Sequence, residues 1–202
     1  MERRSFLMGA FILTAGILAA HPPAAAAADP TALISNLGRE ALAVLGKGTN
    51  ESQRVARFRE LLRADFDVPG IARFVLGRYW NTATEDQRAE FVKLFENYVA
   101  LAYATRLAEY AGEQFKVTGS RPDGDGAIVS SQILRPAGSA PIKVDWRLTG
   151  RNGIYKISDV SVDGISMAVT QRSEFASVVQ RDGGQIRGLL ALMREKTASA
   201  AR

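Results

Sequence analysis

Apolar residues recur at intervals of three and four through the first half of the chain, which predicts a series of amphipathic helices. The first helix is expected over residues 30–47, with a stripe of Leu33, Leu37, Ala41 and Leu45. Asn50 is positioned to cap a second helix, whose apolar side contains Val55, Phe58, Leu61 and Leu62. Asp67 is positioned to cap a short third helix, with Pro69 in its first turn and an inner face of Ile71, Phe74 and Val75.

The longest predicted helix begins at a capping box over residues 84–87 and runs roughly to Tyr110. Its apolar positions form two stripes, one of Phe95, Val99, Tyr103, Leu107 and Tyr110 and one of Phe91, Leu94, Tyr98 and Leu101. Together they make an apolar arc that is wider than one packing seam requires. Two interpretations stay open: a central helix buried on most sides, or a helix that packs on one side and lines an apolar cavity on the other.

The second half of the chain changes to a period of two, which predicts an antiparallel meander. Strands are expected over residues 114–119, 126–135, 142–149 and 154–162, and the segment 119–126 is interpreted as a turn. Asn152–Gly153 is a strong hairpin signal. In the fourth strand the alternation slips, which predicts a β-bulge near Ser158 and Asp159.

Two further helices are predicted after the strands. One runs from Gly164 to about Gln180 and carries Ile165, Met167, Val169, Phe175, Val178 and Val179. The other follows Gly183–Gly184, with a face of Ile186, Leu189, Leu190 and Met193. The order of helices, four strands and helices predicts a single α+β domain with an antiparallel sheet covered by helices.

The first 28 residues have the three-part pattern of a secretory signal peptide. A short basic region precedes an apolar stretch from Phe6 to Ala20, and small residues suited to cleavage end at Ala28. The apolar stretch is too short to be a convincing membrane span. Arg3–Arg4 followed by Phe6–Leu7 is similar to the twin-arginine motif, although a Sec signal with two arginines stays open. We expect export across a bacterial inner membrane and a mature domain over residues 29–202.

Charge and cysteine content refine this picture. The chain contains no cysteine, so no disulfide and no lipid-modified N-terminal cysteine is expected, and the mature protein should be unanchored. Removal of the signal peptide would lower the formal net charge from +5 to +4, a mild basic excess that suits an anionic membrane surface or ligand. The export signal and the absence of a Lys/Arg block argue against nucleic-acid binding.

The sequence offers few candidate catalytic residues. His21 is the only histidine, and it lies in the predicted signal peptide, so the expected mature chain lacks histidine and cysteine. This removes the commonest general base, the commonest zinc ligand and the cysteine nucleophile. We therefore expect no metal, no cofactor and no enzyme activity, although a hydrolase based on serine or carboxylates stays open.

Ser166 follows a predicted strand and precedes a predicted helix, as the nucleophile of a G-x-S-x-G elbow does. In this chain the fifth residue of the motif is Ala168, and the preceding sheet is expected to be antiparallel. The interpretation we favour is a serine in the first turn of a helix that accepts a backbone N–H.

Four stretches in order resemble one known family: FDVPGIARFVLGRYW from Phe66, ATEDQRAEFVKLF from Ala83, YKISDVSVDGISM from Tyr155 and QRSEF from Gln171. With this order and spacing the chain resembles the periplasmic MlaC / toluene-tolerance family, the soluble component of an ABC-type phospholipid transport system. A hopanoid-associated branch of that family is an alternative. The resemblance covers nearly all of residues 29–202.

The resemblance implies a twisted sheet and helices that enclose an apolar pocket for acyl chains, with the headgroup near its mouth. It implies a periplasmic carrier, which we expect to be a monomer, that moves phospholipid or a related lipid between inner-membrane ABC/MCE-type and outer-membrane complexes. The candidate tail-binding residues are Phe74, Val75, Tyr79, Trp80, Phe91, Phe95, Tyr98, Val99, Tyr103, Val144, Trp146, Leu148, Val160, Val162, Ile165 and Met167. The candidate headgroup residues are Arg73, Arg78 and Arg172, each of which could instead be a surface charge.

A lipid-free adaptor that docks on a membrane complex is a further alternative. It would have a filled core and an exposed apolar patch in place of a cavity.

Overall fold

The computed structural model describes residues 29–44, 50–107, 113–135 and 139–199. The predicted signal peptide, Leu45 and Tyr110 lie outside the described residues, as does the side chain of Leu107. The helices are α1 (Pro30–Val44), α2 (Glu51–Asp65), α3 (Val68–Leu76), α4 (Tyr79–Thr82), α5 (Glu85–Leu107), α6 (Met167–Arg181) and α7 (Ile186–Ser199). The strands are β1 (Gln114–Asp123), β2 (Gly126–Leu134), β3 (Ile142–Arg151), β4 (Ile154–Val162) and β5 (Ile165–Ser166).

The predicted starts of α2, α3 and α5 are confirmed, and each is set by a local side-chain cap. Asn50 and Gln53 form a reciprocal capping box at the start of α2. The Gly70 backbone N–H donates to Asp67 Oδ1 at 3.1 Å, which caps α3. At α5 the Gln87 backbone N–H donates to Thr84 Oγ1 at 3.2 Å, and the Thr84 N–H donates to Gln87 Oε1 at 3.0 Å.

The strands form one antiparallel sheet in the order β1-β2-β3-β4-β5, which confirms the α+β prediction and adds a short fifth strand. Asn152 and Gly153 both have positive φ, at 52° and 76°, as the tight β3–β4 hairpin requires. The predicted bulge is also confirmed: Arg147 pairs with Asp159 and Leu148 with Ile157, which leaves Ser158 as the extra residue.

Two predicted boundaries are wrong. The β1–β2 turn contains only Gly124 and Asp125, since the two strands pair as far as Asp123 and Gly126. Pro122 is tolerated in β1 because this strand lies at the sheet edge. The helix expected from Gly164 begins at Met167, because Ile165 and Ser166 first pair with Val162 and Ser161 as β5.

The domain has two apolar clusters. The helical cluster lies among α2, α3, α5, α6 and α7, where Phe91, Phe95 and Phe175 contact one another with centroid separations of 5.8–6.3 Å. The predicted face of α7 is confirmed, since Ile186, Leu189, Leu190 and Met193 are all buried there. The sheet cluster packs α1 against the sheet through residues that include Ile34, Leu37, Val129, Leu148 and Ile157.

Phe66 joins these two clusters, because its half-buried side chain packs against both of them. It also forms an isolated parallel bridge with Ile157 of β4. The backbone N–H of the next residue, Asp67, donates to the Ile157 carbonyl at 2.9 Å. The start of α3 is therefore attached directly to the sheet. On either side of this contact, the space lies between the helical layer and the sheet.

Candidate functional site: an apolar cavity between helices and sheet

A cavity of about 600 Å³ lies between the helical layer and the sheet. Its wall draws on α1, α2, α3, α5 and α6 and on all five strands. Two of its large apolar lining residues are also exposed at the protein surface, Ile165 of β5 at 61% and Leu42 of α1 at 36%. A space of this size bounded by apolar side chains falls in the range that proteins use to hold small apolar ligands.

Ten of the sixteen residues predicted to bind lipid tails line this cavity. They are Val75, Phe95, Val99, Tyr103, Val144, Trp146, Val160, Val162, Ile165 and Met167. Of the two interpretations of α5, the structure shows the second: Phe95, Val99 and Tyr103 line the cavity, whereas Phe91 and Ala100 are buried in the helical cluster.

The other six predicted residues lie outside the cavity wall. Phe91 and Tyr98 belong to the helical cluster, and Leu148 is buried in the sheet cluster. Tyr79 and Trp80 lie in α4, where the Arg78 guanidinium is 4.9 Å from the Tyr79 ring and the Arg88 guanidinium 5.6 Å from the Trp80 ring.

Phe74 was expected on the inner face of α3, and that expectation is wrong, because 42% of the residue is exposed. Its neighbour Val75 turns inward instead and is 1% exposed.

Sequence reasoning missed the contribution of the N-terminal helices. The further apolar lining residues include Leu37, Ala41 and Leu42 of α1, Phe58, Leu61 and Leu62 of α2, and Phe66, Ile71, Phe115, Ile133 and Ile142. The apolar stripes of α1 and α2 were visible in the sequence, but a stripe that packs on a core and a stripe that faces a cavity have the same periodicity.

The sheet side of the cavity is shaped by two aromatic residues. The ring centroids of Trp146 and Phe115 are 6.2 Å apart, and the rings are in an edge-to-face arrangement. Its indole N–H donates to Ser131 Oγ at 2.9 Å, and the Ser131 hydroxyl donates to the Val144 carbonyl at 3.1 Å. The one polar group of Trp146 is therefore satisfied within the sheet, which leaves an apolar indole surface for the cavity.

Phe115 is held from its other side by α1. A Cβ atom added to Gly38 would lie only 2.2 Å from the Phe115 ring, so the ring occupies space that only glycine provides. Both residues line the cavity.

The lining contains carboxylates but none of the described lysines or arginines. Glu96 is paired with Arg63 at 2.8 Å, which links α5 to α2. Asp159 Oδ1 accepts the Val160 and Ala168 backbone N–H groups at 2.8 and 3.1 Å. Asp163 Oδ1 accepts the Lys143 N–H at 3.1 Å. Glu96, Asp159 and Asp163 are therefore engaged in holding the wall together. In contrast, Oε2 of the lining residue Glu113 is buried without a hydrogen-bond partner among the described residues.

The three predicted headgroup arginines lie outside the cavity wall. Arg73 and Arg78 are exposed on α3 and just after it, and the Arg172 guanidinium lies 5.1 Å from the Phe74 ring.

Ser166 is the N-cap of α6, as the favoured interpretation predicted. Its Oγ accepts the Val169 backbone N–H at 3.1 Å and donates to Asp159 Oδ2 at 2.6 Å. Among the described residues, no group of three or more His, Cys, Asp or Glu is arranged to hold a metal ion. In the same part of the chain, no helix has both the length and the hydropathy that crossing a membrane requires.

A solved structure has the same fold. It is a phospholipid-binding protein from Ralstonia solanacearum in complex with a phospholipid, with a TM-score of 0.71 over 87% of this chain and 100% of that chain, at 22% sequence identity.

Two curated relatives are also similar in sequence. The intermembrane phospholipid transport system binding protein MlaC of Haemophilus influenzae is 26% identical over 113 residues, 54% of this chain and 53% of that protein. The toluene tolerance protein ttg2D of Pseudomonas putida is 28% identical over 122 residues, 59% of this chain and 56% of that protein. The chain thus matches about half the length of these relatives. The family model described as MlaC protein matches residues 36–195, and this chain therefore belongs to the MlaC family.

Proposed function

We propose that this protein is a lipid carrier that holds the acyl tails of a phospholipid or related lipid in the cavity between its helices and sheet. The observation that carries the proposal is the cavity itself, about 600 Å³ in volume and bounded chiefly by aliphatic and aromatic side chains. A lipid-free adaptor would have a filled core at this position. The solved relative with this fold holds a phospholipid, which supports the same assignment.

The physical role of the cavity follows from the hydrophobic effect. Exposing an acyl chain to water costs roughly 0.8 kcal/mol per CH₂ group, so spontaneous transfer between membranes is slow. A wall of residues such as Val99, Val144 and Val162 replaces water with surroundings similar to the bilayer interior. Met167 adds an unbranched, flexible side chain that can adapt to different tails.

The position of the headgroup follows from the charges around the cavity. Since no described lysine or arginine lines the wall, we place an anionic phosphate outside it, at the protein surface beside the exposed lining residue Ile165. Arg73, Arg78 and Arg172 do not line the cavity, and their contact with a phosphate outside it stays a prediction.

The proposed cellular setting is the periplasm. A signal peptide over residues 1–28, cleaved after Ala28, would deliver one domain of residues 29–202. We propose that this domain acts as a monomer between inner-membrane ABC/MCE-type and outer-membrane complexes. No step of this role requires a cofactor or a catalytic group.

The test is to export and purify the protein without detergent, extract it with organic solvent and identify the lipids by mass spectrometry. An unrelated periplasmic protein purified in the same way is the control. Stoichiometric phospholipid or hopanoid is expected and would name the cargo class. A folded, lipid-free protein that also takes up no lipid from vesicles would refute the proposal.

A further inference from the structure

The three arginines outside the cavity lie around exposed apolar side chains at the seam between α3 and α6. We call this surface the arginine face and define it by Arg73, Phe74 and Arg78 on one side and Ile165, Val169 and Arg172 on the other. Phe74, Ile165 and Val169 are 42%, 61% and 53% exposed. These are three of the five large apolar residues that are most exposed among the described residues.

Direct contacts bring the two sides of the face together. The Arg172 guanidinium lies 5.1 Å from the Phe74 ring in a cation–π arrangement. It also covers the backbone between Phe74 and Arg78, because a Cβ atom on Gly77 would lie 3.0 Å from Arg172 Nε. Val169 is one helical turn before Arg172, so it projects from the same side of α6.

The face carries basic charge with little acidic compensation. Helix α3 contains no Asp or Glu. Glu174 is the single carboxylate of α6, and it accepts a hydrogen bond from Gln171 Nε2 at 3.0 Å. In the adjoining strands, Asp159 is engaged by Ser166 and Asp163 by the Lys143 backbone. The guanidinium groups of Arg73 and Arg172 therefore dominate the charge of this surface, whereas Arg78 at its edge donates a hydrogen bond to the Tyr79 hydroxyl at 2.9 Å.

The arginine face adjoins the cavity. Ile165 belongs to the face and also lines the cavity. Met167 and Gln171 line the cavity from the same β5–α6 segment. A surface that docks here therefore lies next to an exposed part of the cavity wall.

We propose that the arginine face docks directly on an anionic lipid bilayer. Guanidinium groups bind lipid phosphates bidentately, and exposed Phe, Ile and Val side chains insert at the boundary between headgroups and acyl chains. Juxtaposed basic and apolar side chains match both layers of that boundary. Docking would also present the cavity to the bilayer, and this consequence rests on the proposed carrier function. The docking itself does not depend on that function.

The test measures binding of the exported, purified protein to sedimenting vesicles. One set contains phosphatidylcholine alone, and the other contains phosphatidylcholine mixed with phosphatidylglycerol. We expect binding to the anionic vesicles that weakens as salt is raised, because salt screens exposed charges. Each of Arg73→Gln and Arg172→Gln should weaken this binding about fivefold, and Phe74→Ser should weaken it as well.

The matched control is Arg151→Gln with Ile154→Ser, which removes one arginine and one residue that is 61% exposed at the β3–β4 hairpin. It should bind as the wild type does. Arg172 also packs on Gly77 and could affect folding, so Arg73→Gln, at an exposed position, gives the decisive comparison, with circular dichroism recorded for all variants.

Three results would overturn the proposal: no binding of the wild type to anionic vesicles, undiminished binding by all three face variants, or an equal loss in the hairpin control. If no vesicle binding occurs but the face variants deliver lipid more slowly to a membrane-protein acceptor, the face binds a protein. Failure of vesicle binding leaves co-purified lipid unchanged, so the docking proposal and the carrier proposal fail separately.

Discussion

The Ser166 hydroxyl donates a hydrogen bond to Asp159 Oδ2 over 2.6 Å, across the junction of β4 and α6. The other oxygen of the same carboxylate accepts the Ala168 backbone N–H at 3.1 Å. In the β3–β4 register, Asp159 lies opposite Arg147 at the β-bulge, and the bulge directs the Asp159 carboxylate toward the start of α6. At this strand-to-helix junction, which resembles a nucleophile elbow, Ser166 and Asp159 therefore join β4 to the start of α6 by hydrogen bonds.

Replacing Ser166 by Ala should lower stability and leave lipid content unchanged. The substitution removes an N-cap, which costs about 1 kcal/mol, and it removes no residue that lines the cavity. Urea denaturation and mass spectrometry of extracted lipid measure the two effects. Ser173→Ala is the control within α6, since that exposed hydroxyl only donates to the Val169 carbonyl at 3.1 Å. Loss of bound lipid in the folded Ser166→Ala protein would contradict this assignment.

Gly38 should control the volume available to acyl tails. In Gly38→Ala the new methyl group would overlap the Phe115 ring, and the ring can yield toward the cavity that it lines. We expect shorter or fewer acyl chains per protein, measured by mass spectrometry of extracted lipid. The double variant Gly38→Ala with Phe115→Leu should restore the wild-type acyl profile.

Gly119→Ala is the matched control for Gly38. It also lies in an ordered element and has no neighbouring atom within 4 Å of an added Cβ, so its acyl profile should not change. An unaltered acyl profile in folded Gly38→Ala would show that the Gly38–Phe115 contact does not limit the cavity.

A charge placed on the sheet side of the cavity should prevent loading. Val162→Glu would put a carboxylate among acyl tails, where a charge without a partner is strongly unfavourable. Val162 is half-buried and lines the cavity, so the chain can fold with the carboxylate in water when no lipid is bound. Ile154→Glu in the same strand, at an exposed position outside the wall, should keep its lipid. Equal lipid content in both folded variants would exclude Val162 from the tail-binding surface.

Replacing Ser131 by Ala should destabilise the protein through Trp146. The indole N–H of the half-buried Trp146 loses its acceptor at 2.9 Å, and we expect a cost of about 1 kcal/mol, the lower end for an unpaired donor. Urea denaturation measures the loss. Ser130→Ala, one residue away in β2, removes a hydroxyl that donates to Asp145 Oδ1 and is not the acceptor of the Trp146 N–H, so tryptophan fluorescence should change only in the Ser131 variant.

Asp65→Asn should stabilise the protein at neutral pH. Burial raises the pKa of Asp65 above its ordinary value of 3.8, the negative charge of Glu40 raises it further, and Lys156 partly opposes the shift. A raised folded-state pKa contributes stability below the unfolded pKa, and this contribution is lost as pH rises through the folded pKa. The advantage of the amide should therefore shrink as pH falls through the raised folded-state pKa of Asp65 and be absent below the ordinary value of 3.8, as measured by urea denaturation of both proteins. An advantage that is constant with pH would contradict this.

The sequence by itself determined the elements that depend on local interactions. Caps such as Asn50 and Thr84 form hydrogen bonds within three residues, so their role can be read without the rest of the chain. The turn at Asn152–Gly153 depends on backbone conformation, and the bulge at Ser158 on a visible change in alternation. The order of these elements was enough to predict an α+β fold with a meander sheet.

Only the tertiary structure decided which apolar residues face the cavity. Phe91 and Phe95 lie one turn apart on α5 and are almost equally buried, yet only Phe95 lines the cavity. Phe74 and Val75 are consecutive, yet Val75 is buried and lines the cavity, whereas Phe74 stays exposed beneath Arg172. Periodicity shows that a side chain avoids water, whereas the arrangement of the surrounding helices and strands determines whether it meets another side chain or an empty space.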